Sequence, residues 1–170
     1  MKRTLTLVAI LVLFFSTNTF AQGKIKLGHV DSMELLQAMP GRDSAEKVLQ
    51  EYANSLEKQI IAMQTELQNK YNDFMDNQAT MSQLIQQTKA KELQDLQARI
   101  EAFQVSAQND LQEKERELVQ PIIDKAKKAI EEVAKANGYT YIFDSSVGVL
   151  LHFEDSDDIM SMVKKKLNIK

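Results

Sequence analysis

The stretch DNQATMSQ, Asp76 to Gln83, decides how this chain is built. It lies between two long segments whose apolar residues recur at helical spacing. If the helix ran through it, the protein would be one continuous rod of the cytoskeletal coiled-coil kind. If the chain reverses there, the two segments pair. Asp76 and Asn77 are weak helix formers suited to a helix end. Thr80 and Gln83 match the S/T-x-x-E/Q capping box that opens a new helix. The reversal is therefore placed at Asn77 to Thr80, with an arm tip near 77–82.

Upstream, the stripe is Leu49, Tyr52, Leu56, Ile60, Met63, Leu67, Tyr71 and Phe74. Its steps of 3 and 4 make an eleven-residue repeat, the period of a straight or slightly right-handed helix. Only one face is apolar, so this helix needs one partner. Asp43, with Glu46 three residues on, resembles a cap at its start. Downstream, the stripe is Leu93, Leu96, Ile100, Phe103, Ala107, Leu111, Leu118, Ile122, Ala129 and Val133, interrupted by Lys114.

A reversal near residue 79 brings the chain's two helix breakers level. Pro121 lies 42 residues past it, and Pro40 and Gly41 lie 39 and 38 before it. Pro removes a helical hydrogen bond, so Pro40, Gly41 and Pro121 read as one hinge level between an arm (42–120) and a base. Some 38 residues at 1.5 Å each give an arm of roughly 55 Å. A continuous coiled coil would need neither the breakers nor the terminal strands.

The base is built from both ends, 22–41 and 121–170. Ile25 to Asp31 alternates as a short strand, and Ser32 to Met39 gives a helical turn or two, stopped by Pro40-Gly41. After a helix ending at Asn137-Gly138, NGYTYIFDSSVGVLLHF reads as a β-hairpin. Tyr139, Tyr141 and Phe143 share one face, Ser145 to Gly148 turn, and Val149 to Phe153 return. Ser156-Asp157-Asp158 opens a last short helix. An isolated hairpin is marginal and a small sheet has exposed edges. The expectation is that Ile25, Leu27, Val30, Tyr141, Ile142, Phe143, Val149, Leu151 and Phe153 belong to a body completed by other chains. The fold class is α+β and mostly helical.

Residues 1–21 differ from the rest. Lys2 and Arg3 precede the apolar run Leu5 to Phe15, and Thr19 and Ala21 suit a cleavage site. This is the pattern of a secretory signal peptide cleaved near Ala21, its 11-residue apolar run with one Thr falling short of the ~20 that span a bilayer. No Cys follows to carry a lipid anchor. Without Lys2 and Arg3, 19 basic residues face 24 acidic ones, a net charge of −5. An exported acidic chain is a poor nucleic-acid binder, and no later segment suits membrane insertion.

Chemistry-bearing groups are sparse. The absence of Cys excludes a disulfide framework and thiolate sites. Five Gly form no phosphate-binding fingerprint. His29 and His152 have no metal-site spacing, and Glu154 to Asp158 lacks a calcium-loop pattern. No nucleophile–base pair is visible. An enzyme, a metal or a cofactor is not expected.

KIKLGHVDSMELLQAMPGRDSA resembles the opening of mature Skp/OmpH-family chaperones. LVQPIIDKAKKAIEEVAKANGYTYIFDSSVGVLLHFEDSDDI is similar to the family's closing segment, with its P-I-x-x-K run and G-Y-x-x-I/V-F-D strand. The resemblance implies a jellyfish-like periplasmic homotrimer with a shared β-barrel body and three helical-hairpin arms around a cavity. It also implies an ATP-independent holdase that binds unfolded outer-membrane proteins. The best-known members are strongly basic, whereas this chain is acidic with no basic stripe that would serve lipopolysaccharide.

Apolar residues off the pairing stripes are Val48, Ile61, Met75, Met81, Leu84 and Val105. As a set facing a cavity they would give adaptable client contacts. Singly, each is ordinary for a protein surface. The rival function is a periplasmic helical-hairpin adaptor that docks one folded partner and does not bind unfolded chains.

Overall fold

The structure, a computed structural model, describes residues 25–169. The signal-peptide expectation lies outside them. The element order is β1 (Leu27–Val30), α1 (Ser32–Ala38), α2 (Arg42–Asn77), a 3-10 turn (Gln78–Thr80), α3 (Gln83–Asn137), β2 (Tyr141–Asp144), a second 3-10 turn (Asp155–Asp157) and α4 (Met160–Leu167).

α2 and α3 form the antiparallel hairpin expected from DNQATMSQ. Every residue of the two pairing stripes is at least half-buried except Tyr71, which is 49% exposed. Full burial is confined to Ala45, Leu96, Ile100 and Ala107 along the arm. One helix cannot cover all of another's flank, so the arm is held by a narrow seam. Near the tip, Lys89 Nζ bridges to Asp73 Oδ2 at 2.7 Å.

The caps differ from the capping-box expectation. Ser82, not Thr80, is the N-cap of α3, its hydroxyl accepting from Ile85 N–H. The Thr80 hydroxyl instead donates to the Asn77 carbonyl, closing the 3-10 turn. That turn takes up the residues a capping box would have used. At the base of α2 the N-cap is Gly41, in the left-handed region with φ 92°. Asp43 therefore stands inside the first turn, where its charge suits the helix dipole but its side chain caps nothing. Gly138 closes α3 in the left-handed conformation, as Asn137-Gly138 suggested.

The base differs more. β1 and β2 pair in parallel, with Leu27 opposite Tyr141 and His29 opposite Phe143. The expected hairpin does not form: residues 149–153 make no strand, and the described chain has two strands rather than three. The reason is topological. β1 occupies one edge of β2, and the segment after β2 is drawn across to β1 instead of folding back, with Phe153 packed on His29 and Ile159 N–H donating to the His29 carbonyl. Tyr139 also stays out of the strand and packs against the core.

That core belongs to a single chain. Val30, Leu35, Met39, Ala126, Ala129, Val133, Ile159, Met160 and Val163 are buried together. It joins β1, α1, the last turns of α3 and α4. The base therefore has its own apolar centre within one chain. Each fully buried Leu or Ile contributes about 1.5–3 kcal/mol. Two ion pairs fasten α4 from outside, Lys164 to Glu34 and Lys166 to Glu132. α3 runs unbroken through Pro121 from arm into base.

Candidate functional site

Two surfaces stand out. The first is the outer face of the base. In a parallel pair, residues in register share a face, so Leu27, Tyr141 and Phe143 line one side with His29. Leu27 is 45% and Tyr141 59% exposed. In the segment after β2, Val147, Val149 and Leu151 are also exposed, the last at 98%. Phe153 turns back over His29 with ring centroids 4.2 Å apart. Of the residues expected in a shared body, Ile25, Leu27, Tyr141, Phe143, Val149, Leu151 and Phe153 are exposed. Val30 is instead consumed by the chain's own core, with Ile142 packed against it.

His29 is buried beneath this face. Its Nε2 lies 3.1 Å from the Glu154 carbonyl, and its Nδ1 is buried without a partner. His152 Nε2 lies 3.3 Å from the Glu154 carboxylate. Among the described residues, no three His, Cys, Asp or Glu side chains cluster as metal ligands would.

The second surface is the arm. Val48, Ile61, Met75, Leu84 and Val105 are 42–73% exposed, and Met81 is half-buried. They do not form one patch. At about 100° per residue, Ile61 and Met75 fall on one flank of α2 and Val48 on a different one. Ile85, 48% exposed beside Leu84, was not singled out by sequence, because it was absorbed into the helix start. Tyr71 was assigned to the pairing stripe and in fact opens onto a groove.

That groove runs between α2 and α3 near the tip, with a volume of about 960 Å³. Leu67, Phe74, Leu93 and Ile100 form its floor, and Gln64, Gln68 and Tyr71 form one wall. Gln94, Gln97, Glu101 and Gln104 form the other. Sequence offered a signal for it in the Gln residues at i, i+3 and i+4 beside the stripe, which drew no attention as solvated polar groups. Charge is also unevenly placed. Residues 42–120 hold 9 basic and 14 acidic side chains, so the arm carries a balance of −5, while 77–88 carry no charge at all.

The OmpH-like outer membrane protein family matches this sequence over residues 26–167. The chain belongs to the OmpH-like family. Its fold resembles a crystal structure described as that of an OmpH-like outer membrane chaperone from Caulobacter crescentus CB15. The TM-score is 0.73 at 14% identity, covering 85% of this chain and 84% of that one. No match was found among curated proteins. The OmpH-like match spans both base segments and the arm, so it bears on the whole described chain. Among the described residues, no helix is long and apolar enough to cross a membrane.

Proposed function

We propose that this OmpH-like chain is an ATP-independent periplasmic holdase. It binds unfolded outer-membrane proteins through many weak contacts and is a binding protein rather than an enzyme. Three chains associate through the outer faces of their bases, and their arms surround the client. Family membership supports a chaperone role, as does the fold shared with the Caulobacter protein.

The observation that carries the assembly is the set of exposed apolar side chains that one small base presents, Leu27, Tyr141, Phe143, Val149 and Leu151. A Leu that is 98% exposed next to a complete core has no role within one chain. Exposed apolar side chains in this number on one small unit support an interaction site. The arm residues Val48, Ile61, Met75, Met81, Leu84 and Val105 supply client contacts on different flanks, which suits clients without a fixed shape. Pro40, Gly41 and Pro121 let the arms splay. The acidic arm does not favour lipopolysaccharide, so capture proceeds through neutral and apolar contacts.

The test is light scattering during rapid dilution of a urea-unfolded outer-membrane barrel, with the mature protein and no ATP. Suppression of aggregation that saturates near about one client per three chains is the expected result. No suppression at large excess of folded protein overturns the holdase. Pull-down of one folded partner would then establish the adaptor instead.

A further inference from the structure

We propose that the groove between α2 and α3 is a peptide-binding subsite that takes an extended segment of about five or six residues free of acidic side chains. This rests on the holdase reading and specifies where and how the arm grips.

Three properties of the groove point to that ligand. The first is its lack of any cationic side chain. Glu101 is the one charged residue among those lining it, in a protein of which 26% is charged. Glu101 is moreover already hydrogen-bonded by Gln97, at 3.1 Å. An acidic segment finds no cation here and meets the Glu101 charge, so segments free of acidic residues are favoured.

The second is the chemistry of the walls. An extended backbone must place N–H donors and C=O acceptors along both edges. A Gln side chain offers an acceptor oxygen and two N–H donors at once. Gln68 and Gln97 have partners in Asn72 and Glu101. Gln64, Gln94 and Gln104 make no side-chain hydrogen bond among the described residues and remain available. On one ridge, residues four apart are separated by about 6 Å. Same-side peptide groups of an extended strand repeat about every 6.8 Å. Gln94 and Gln104, ten residues and about 15 Å apart on α3, thus reach peptide groups about two repeats apart along one edge, and Gln64 on α2 faces the other.

The third is size and floor. From Ala90 to Gln104 the groove extends about 21 Å along α3, the length of about six extended residues. It is an open groove along the helix seam, so a bound segment keeps one face in solvent. The floor of Leu67, Phe74, Leu93 and Ile100, with the ring of Tyr71 at its lip, accepts the alternate side chains that an extended strand turns to one side. The ligand is therefore a segment alternating apolar and small polar residues and free of acidic ones.

The experiment uses the mature chain and a fluorescein-labelled eight-residue peptide alternating Phe or Val with Thr or Ser. A second peptide has the same sequence with its central amides N-methylated. The expected result is that Gln64→Ala/Gln94→Ala/Gln104→Ala weakens the first peptide about tenfold while helicity is unchanged. N-methylation weakens binding to the native chain similarly but adds little to the triple variant, since both remove the same hydrogen bonds. A second probe exploits the absence of cysteine. Gln94→Cys carrying a bulky maleimide blocks the peptide, whereas the same label on Glu113→Cys does not.

Unchanged peptide affinity in both the triple variant and the labelled Gln94→Cys chain overturns the subsite, as does failure of the native chain to bind the peptide. Protection of Gln94→Cys from labelling without peptide also overturns it, because a neighbouring arm would then fill the groove. In each case aggregation suppression is scored separately, so the holdase can stand while the subsite falls.

Discussion

Asp144 and Ser32 are joined across 112 positions of chain, with the Ser32 hydroxyl 2.5 Å from Asp144 Oδ2 and the Ser32 N–H 3.2 Å from Oδ1. Ser146 adds its own N–H at 2.9 Å and hydroxyl at 2.7 Å to Oδ1. One carboxylate thus ties the end of β2 to the start of α1. It closes the base where its two sequence segments meet.

This contact makes the base acid-sensitive. Burial by itself would raise the Asp144 carboxyl, but the hydrogen bonds from Ser32 and Ser146 outweigh it and hold the group down at about 2, from an ordinary 3.8. A depressed folded-state value stabilises the fold fully above the ordinary value, and that stabilisation is lost as pH falls from about 4 towards 2. After allowance for partial exposure it is about 1–2 kcal/mol. Asp144→Asn is expected to lose this stability at pH 7 and to flatten the pH dependence of the urea midpoint between 4 and 2. An equal slope in both proteins would assign the acid response elsewhere.

Core and interface in the base are separable by mutation. Ile159→Ala empties a site that is fully buried and is expected to cost about 2–5 kcal/mol in chemical denaturation. Leu151→Asp touches no intrachain packing. It is expected to keep native helicity by circular dichroism while reducing the solution mass to that of one chain. An unchanged mass would remove Leu151 from the assembly surface.

Gly28 is a tight spot in β1. An added Cβ would stand 2.8 Å from Tyr139 Cε1 and 3.1 Å from Ile142 Cδ1. Tyr139 is also held by Lys26, whose ammonium lies 4.0 Å from the ring centroid. Gly28→Ala is expected to destabilise by about 1–3 kcal/mol through overpacking. Combining it with Tyr139→Leu should recover part of that loss, and thermal melts of the two variants decide it.

Pro121 lacks the N–H that would bond the Glu117 carbonyl, within a helix that otherwise runs from Gln83 to Asn137. Pro121→Ala restores that bond. Spin labels at Gln87→Cys near the tip and Lys128→Cys in the base should then report a narrower distance distribution. The range of client sizes accepted should shrink with it. If width and client range both stay as in the native chain, the hinge is not at Pro121.

What sequence determined by itself is the local architecture. The arm was legible because helical periodicity repeats for ten turns. The reversal was legible because Asp76 and Asn77 interrupt it without an apolar partner. Gly138 was legible because a left-handed cap is a local need. Tertiary structure decided the base. The alternation in YIFD is the same whether its neighbour is the return segment or β1, so pairing could not be read from it. Only the spatial meeting of the two ends selects β1, leaves Val149 to Phe153 free, and turns Val30 inward. The groove was equally hidden. Its Gln residues look solvated on either helix alone, and they become two walls only when α2 and α3 lie side by side.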